Sequence, residues 1–171
     1  ASAEEITVPI GLLPALSGPF SQLGIECRDG YELARKWRAP QNRIGRYRLN
    51  FIYGDSRGEG KIAAAEFQRF LLEKPWALLS AGSYAAMPIN AASAHAGIPH
   101  LGVLGHRDFL SGNPYAFQFW PSSELEGRKL AHYAAQQGLR RVTAFTAASE
   151  YPQSMLDSFR DELINKTSGE I

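Results

Sequence analysis

The chain has 171 residues, 44% of them hydrophobic and 20% charged, with 18 basic and 17 acidic side chains leaving a net charge of +1. That balance belongs to a folded, water-soluble globular chain and sets aside disordered and fibrous classes. The charges are spread without a Lys/Arg block, so the dense positive surface that nucleic acid requires is missing. The length admits one ordinary domain, or one and a half smaller ones.

At the start, Ala1-Ser2-Ala3 has the small-x-small form left around a signal-peptidase site, and three small residues equally fit a cloning scar. Residues 6–13, ITVPIGLL, read as a first strand despite Pro9, which cannot donate to a ladder. From 22 to 38, Leu23, Cys27, Tyr31, Ala34 and Trp37 recur at three- and four-residue steps, the apolar face of a helix. Cys27, the sole cysteine, excludes an internal disulfide and is expected in the core. A second strand comes at Leu49, Phe51 and Tyr53, ending in Gly54-Asp55-Ser56, and a second helix over about 59–73 buries Ala63, Phe67, Phe70 and Leu71.

Residues 76–84, WALLSAGSY, form an apolar run ending in small and hydroxyl-bearing residues, the pattern of a buried parallel strand delivering its end to a loop. Ligands of open α/β sheets sit beyond the carboxyl ends of such strands, which puts Ser83 where a ligand is met. Its hydroxyl and the N–H groups of the next helix suit an anion such as a carboxylate, although a serine there equally serves as a plain helix cap. A third helix is expected over 87–96 with Pro88 near its start, and a fourth strand over 98–103. Residues 115–120, YAFQFW, make an extended aromatic link whose rings stack on a ligand or join the core. Ser123 and Glu126 match a capping box for a helix to about 137. Residues 141–145 read as another strand, 152–166 as another helix, and 169–171 as the lead-in to a strand cut short. A strand-helix-strand start cannot bury its own apolar face, so the native protein is expected to continue past residue 171. The alternation predicts an α/β fold, a parallel sheet with helices on both faces.

Chemical motifs are few. A nucleophile elbow needs Gly two residues to either side of the serine, and Ser83 has Ala81 and Ala85 there, which argues against a small α/β hydrolase. His95, His100, His106 and His132 have no metal-ligand spacing, with His95 and His132 expected on exposed helix faces and His100 as a structural strand residue. Residues 54–60 lack the phosphate-loop spacing and lysine, and Asp55 reads as a turn-ordering residue rather than a phosphoacceptor. No metal and no cofactor are implied. No apolar run approaches the length of a membrane span.

Several segments, in order, carry a resemblance: Ile10-Gly11-Leu12-Leu13-Pro14 with Leu16-Ser17-Gly18-Pro19-Phe20 and Leu23-Gly24; Gly30-Tyr31-Glu32-Leu33-Ala34; Tyr53-Gly54-Asp55-Ser56-Arg57-Gly58; residues 79–88; Ala96-Gly97-Ile98-Pro99; Pro114-Tyr115-Ala116-Phe117-Gln118-Phe119; and Glu126-Gly127. So ordered, the chain resembles the periplasmic solute-binding proteins of the leucine/isoleucine/valine-binding family, which serve ABC transporters. The resemblance implies the type I, two-lobed, Venus-flytrap-like architecture, with residues 1–120 as the first ligand-binding lobe and 121–171 as the beginning of an incomplete second lobe. It implies a non-enzymatic, periplasmic or extracellular solute-binding component that closes on a branched-chain or related amino acid, or another small carboxylate, and is recognised by a membrane permease. A ligand-sensing domain of the same fold in a receptor or regulator is the alternative. Carried over by position, Ser83 matches the hydroxyl that holds the ligand carboxylate, with Gly82 and Tyr84 beside it. Gly105 and His106 fall where a small residue and a threonine bind carboxylate and amine, Leu23 where a large side chain covers the ligand, and Tyr151 on an aromatic of the second lobe. His106 departs from the family pattern, since an imidazolium favours an anion and a hydroxyl accepts from an ammonium.

Overall fold

A computed structural model describes residues 4–167. The readings of Ala1-Ser2-Ala3 and of residues 169–171 lie outside the described residues. Six strands form one sheet: β1 (Ile6–Leu13), β2 (Arg43–Ile44), β3 (Tyr47–Tyr53), β4 (Ala77–Ala81), β5 (His100–Val103) and β6 (Ala116–Gln118). Their order is β2-β3-β1-β4-β5-β6, and every neighbouring pair is parallel except the β2–β3 hairpin. Helices α1 (Ser21–Arg38), α2 (Gly60–Leu72) and α3 (Ser83–His95) supply the crossovers, as the strand-helix alternation predicts.

One face of the sheet is packed to completion. Leu13 of β1 and Leu78 of β4 lie against Phe67 and Phe70 of α2 and Ala85 and Ile89 of α3, all buried. Gly11 is required beneath them, because a Cβ there would stand 2.7 Å from Leu78 and 2.9 Å from the Phe70 ring. The opposite face is touched by α1 alone among these crossover helices, and that helix departs from its predicted pattern. Only Gly24 is fully buried, with its absent Cβ replaced by the Ala15 carbonyl; Cys27 and Tyr31 are half-buried, and Leu23, Ala34 and Trp37 are exposed. The helix therefore docks through its first three turns and runs off the sheet at its C-terminal end.

Three further expectations need correction. Helix α3 begins four residues early, at Ser83, so that Pro88 sits in its second turn rather than near its start. The link at 115–120 contributes β6, the edge strand beside β5. The strand expected over 141–145 does not form: Arg141 is a single bridge residue and Phe145 is 98% exposed. A strand needs neighbours to satisfy its backbone, and no ladder flanks this one among the described residues. Beyond β6 the chain instead makes a helix pair, α4 (Ser123–Gln136) and α5 (Glu150–Thr167), packed through Ala131, Ala134 and Leu163. Gly127 allows the close approach, since a Cβ there would lie 2.3 Å from the Met155 carbonyl oxygen.

Candidate functional site

The carboxyl end of β4 turns into α3 at Gly82, whose φ of 85° is a left-handed conformation that only glycine adopts freely. A Cβ there would also strike the Tyr84 ring at 2.5 Å. Gly82 is the N-cap of α3, its carbonyl accepting the Ala85 and Ala86 N–H groups at 3.1 and 3.0 Å, with no side-chain capping bond. Ser83 is thus the first helical residue and does not cap its own helix. Its hydroxyl has no hydrogen-bond partner among the described residues and lines an open cavity of about 790 Å³. The orphan N–H groups of a helix start together with a serine hydroxyl make a site for an anionic group.

The cavity brings together six of the seven residues singled out in the sequence: Leu23 of α1, Gly82, Ser83 and Tyr84 at the start of α3, Gly105 after β5, and Tyr151 of α5. Phe20, Cys27 and Trp120 join them in the lining. The Phe20 ring stacks on Tyr84 with centroids 4.6 Å apart and planes at 19°. No described lining residue carries a formal charge. The Tyr84 phenol is pushed up to about 12 by burial and then by the neighbouring Cys27, and burial with Glu26 alongside raises the Cys27 thiol. Both groups are therefore neutral near pH 7.

His106 is the exception. It does not line the cavity, and its Nδ1 accepts the Asp108 N–H at 3.2 Å in the turn that leaves β5. Gly105 packs closely against Tyr151: a Cβ on it would stand 2.5 Å from Tyr151 Cε2 and 2.7 Å from the Pro121 carbonyl oxygen. Of the aromatic link, Trp120 alone reaches the cavity, while Phe117 and Phe119 are exposed at 54% and 70%.

The remaining polar candidates are structural. Asp55 accepts the Leu16, Ser17 and Arg57 N–H groups on Oδ1 and the Ser17 hydroxyl on Oδ2 at 2.7 Å, tying the β1 and β3 loops together. Burial raises its carboxyl, and those hydrogen bonds outweigh burial and hold it below the ordinary range. His100 is fully buried between the Ser80 hydroxyl, 2.8 Å from Nε2, and the Ser93 hydroxyl, 3.3 Å from Nδ1. Its pKa falls to about 4 through burial. His95 and His132 are exposed, the latter 2.7 Å from Glu162. Among the described residues no three His, Cys, Asp or Glu side chains gather in a way that would hold a metal. No helix of the described residues is long and apolar enough to cross a membrane.

The capping box is displaced by one residue. Ser122 is the cap of α4, accepting the Leu125 N–H at 3.2 Å, while Ser123 is buried and donates to the Ser154 hydroxyl at 3.0 Å. Glu126 is thereby released from capping, and its carboxylate accepts the Tyr151 hydroxyl proton. The sequence carries no signal for that pairing, which exists only because α4 and α5 lie side by side.

Comparison with solved structures gives the same architecture. The chain superposes on a solute-binding protein of an ABC transporter from Rhodopseudomonas palustris, in complex with 3,4-dihydroxybenzoic acid, with a TM-score of 0.86 and 15% identity over 94% of this chain and 44% of that one. It is likewise similar to the branched-chain amino acid transporter substrate-binding protein LivJ from Streptococcus pneumoniae, in complex with isoleucine, with a TM-score of 0.85 and 23% identity over 96% and 48%. The leucine-binding protein LivK from Thermotoga maritima matches with a TM-score of 0.84 and 18% identity over 92% and 46%. The chain thus spans less than half the length of these structures and matches one lobe of the type I fold. Sequence comparison with curated proteins gives no match. The parallel sheet whose strand ends open on this cavity is matched by a family model over residues 7–166: the chain belongs to the periplasmic binding protein family, which is non-enzymatic and extracytoplasmic.

Proposed function

We propose that this protein is the solute-binding component of an ABC transporter and takes a small carboxylate with an apolar body, either a branched-chain amino acid or an aromatic acid. The observation that carries the reading is the start of α3, where the Ser83 hydroxyl, unpartnered among the described residues, lines an aromatic cavity. A carboxylate there accepts from the hydroxyl and from the first helical N–H groups, while the apolar body lies against Leu23, Phe20, Tyr84, Trp120 and Tyr151. Gly82 and Gly105 let the backbone and the Tyr151 ring come close. In this reading residues 1–120 form the first lobe and 121–171 open the second. Closure of the two presents the loaded protein to a membrane permease, on the periplasmic or extracellular side. The ligands named for the structural neighbours, isoleucine and dihydroxybenzoate, define the panel to test.

Calorimetry against leucine, isoleucine, valine, 4-hydroxybenzoate and 3,4-dihydroxybenzoate is expected to give saturable binding of at least one. Ser83→Ala is expected to weaken it by about 1–3 kcal/mol, the cost of leaving a buried carboxylate short of one donor. No binding across the panel, or unchanged affinity in Ser83→Ala, overturns the proposal.

A further inference from the structure

Glu126 lies outside the cavity, yet the structure connects it to Tyr151, one of the rings that form the cavity wall. Its Oε2 accepts the Tyr151 hydroxyl, and Trp120 lines the same cavity as Tyr151. The carboxylate is the acceptor that holds the Tyr151 hydroxyl. Burial, and after it the Glu126 carboxylate, pushes the Tyr151 phenol up to about 12, so it stays a donor across the neutral range. The ring it anchors packs against Gly105, whose carbonyl in turn accepts the Ser123 N–H at the start of α4. Glu126 is on the same first turn of α4 and is half-buried. A tyrosine ring with its hydroxyl unheld has a free second rotor and a mobile edge; a carboxylate at that hydroxyl fixes both.

We infer that Glu126 is a positioning residue: it touches no ligand itself and holds the Tyr151 ring as a rigid part of the cavity wall that Trp120 also lines. The role explains why a glutamate in the first turn of α4 leaves backbone capping to other groups. It rests on the ligand-binding reading for its consequence, but the ordering of the wall is independent of it.

The test uses Trp120 as the reporter. The protein has three tryptophans, exposed at 76% (Trp37), 54% (Trp76) and 52% (Trp120), and a Trp37→Phe, Trp76→Phe background leaves Trp120 as the single emitter. In that background Glu126→Ala is expected to red-shift the Trp120 emission and lower its anisotropy. Tyr151→Phe, which removes a single oxygen and keeps the ring, is expected to do the same. Glu126→Gln keeps an acceptor for the tyrosine proton and is expected to restore most of both signals. Affinity for whichever member of the same panel (leucine, isoleucine, valine, 4-hydroxybenzoate, 3,4-dihydroxybenzoate) binds is expected to fall about tenfold in Glu126→Ala and to recover in Glu126→Gln. Unchanged emission in both Glu126→Ala and Tyr151→Phe overturns the ordering of the wall. Changed emission with unchanged affinity overturns its role in ligand binding. If no member of the panel binds the parent protein, the transport proposal falls, and the emission series still decides whether Glu126 orders the wall.

Discussion

The two faces of the sheet are built to different standards. On the face covered by α2 and α3, Phe67, Phe70, Leu78, Ile89 and His100 are sealed from water, and a network of Asn90, Ser93 and Asn113 satisfies the polar groups enclosed with them. On the face that α1 touches, the row Leu12, Tyr53, Leu79, Leu101 and Phe117 passes from fully buried Leu12 at the centre to Phe117, 54% exposed on the edge strand. Burial there declines with distance from the helix. The sheet therefore takes its stability from one side, and the cavity opens at the end of the strands where the two sides meet.

The contrast can be broken most sharply at Phe70. Phe70→Ala removes a side chain with no exposed surface from the centre of the well-packed core, and is expected to cost about 3–5 kcal/mol in urea unfolding. A loss below about 1 kcal/mol would mean that this face is no tighter than the other.

His100 probes the same face by titration. Its folded pKa of about 4 lies below the ordinary 6.5, so the unfolded chain binds the extra proton first as the pH drops. Stability is expected to be flat above about pH 6.5, to fall through the window down to about pH 4, and to level off below it. The loss from this one group is about 3 kcal/mol. Unfolding free energies of His100→Gln measured alongside the parent isolate the effect, because carboxylates contribute equally to both. Parallel pH profiles in the two proteins would refute it.

How legible these features are in the sequence depends on whether their cause is local. Strands β1, β4 and β5 announce themselves as short apolar runs, the form that parallel strands take between helices, and β3 through the alternation of Leu49, Phe51 and Tyr53 with Asn50 and Ile52. Helix α2 is legible for the complementary reason: Ala63, Phe67 and Phe70 recur at helical spacing and are the residues that become buried. Helix α1 has the same spacing yet buries almost none of it, since periodicity reports an apolar face and not what covers that face. At the site, strand-end logic and the family resemblance lead to Gly82, Ser83, Tyr84, Gly105, Leu23 and Tyr151, which the fold gathers in one lining. His106 stands outside it, past the end of β5, where its Nδ1 accepts the Asp108 N–H within the following turn. Glu126 reads as a cap because both capping and Tyr151 binding ask for a carboxylate at that position, and only the packing of α5 on α4 decides between them.

The smallest effect is expected on the open face, at Tyr53. Its hydroxyl donates to Glu32 Oε1 at 2.6 Å, and Arg35 binds the other oxygen of the same carboxylate. The Tyr53 bond, then that of Arg35, holds the Glu32 carboxyl below its usual range. Tyr53→Phe deletes the donor and leaves the ring, so the cost is that of one hydrogen bond to a well-hydrated acceptor, about 0.5–1.5 kcal/mol. Because the Glu32 carboxyl is depressed in the folded state, its contribution is present above the unfolded pKa and is lost as the pH falls through the folded one. In Tyr53→Phe the Glu32 pKa, tracked by NMR titration of its side-chain carboxyl carbon, is expected to rise toward the ordinary carboxylate value. A loss as large as that of Phe70→Ala would show that α1 closes its face of the sheet as firmly as α2 and α3 close theirs. A small loss together with a risen Glu32 pKa shows that α1 is held at this point by a polar clasp at the sheet edge, with little apolar burial behind it.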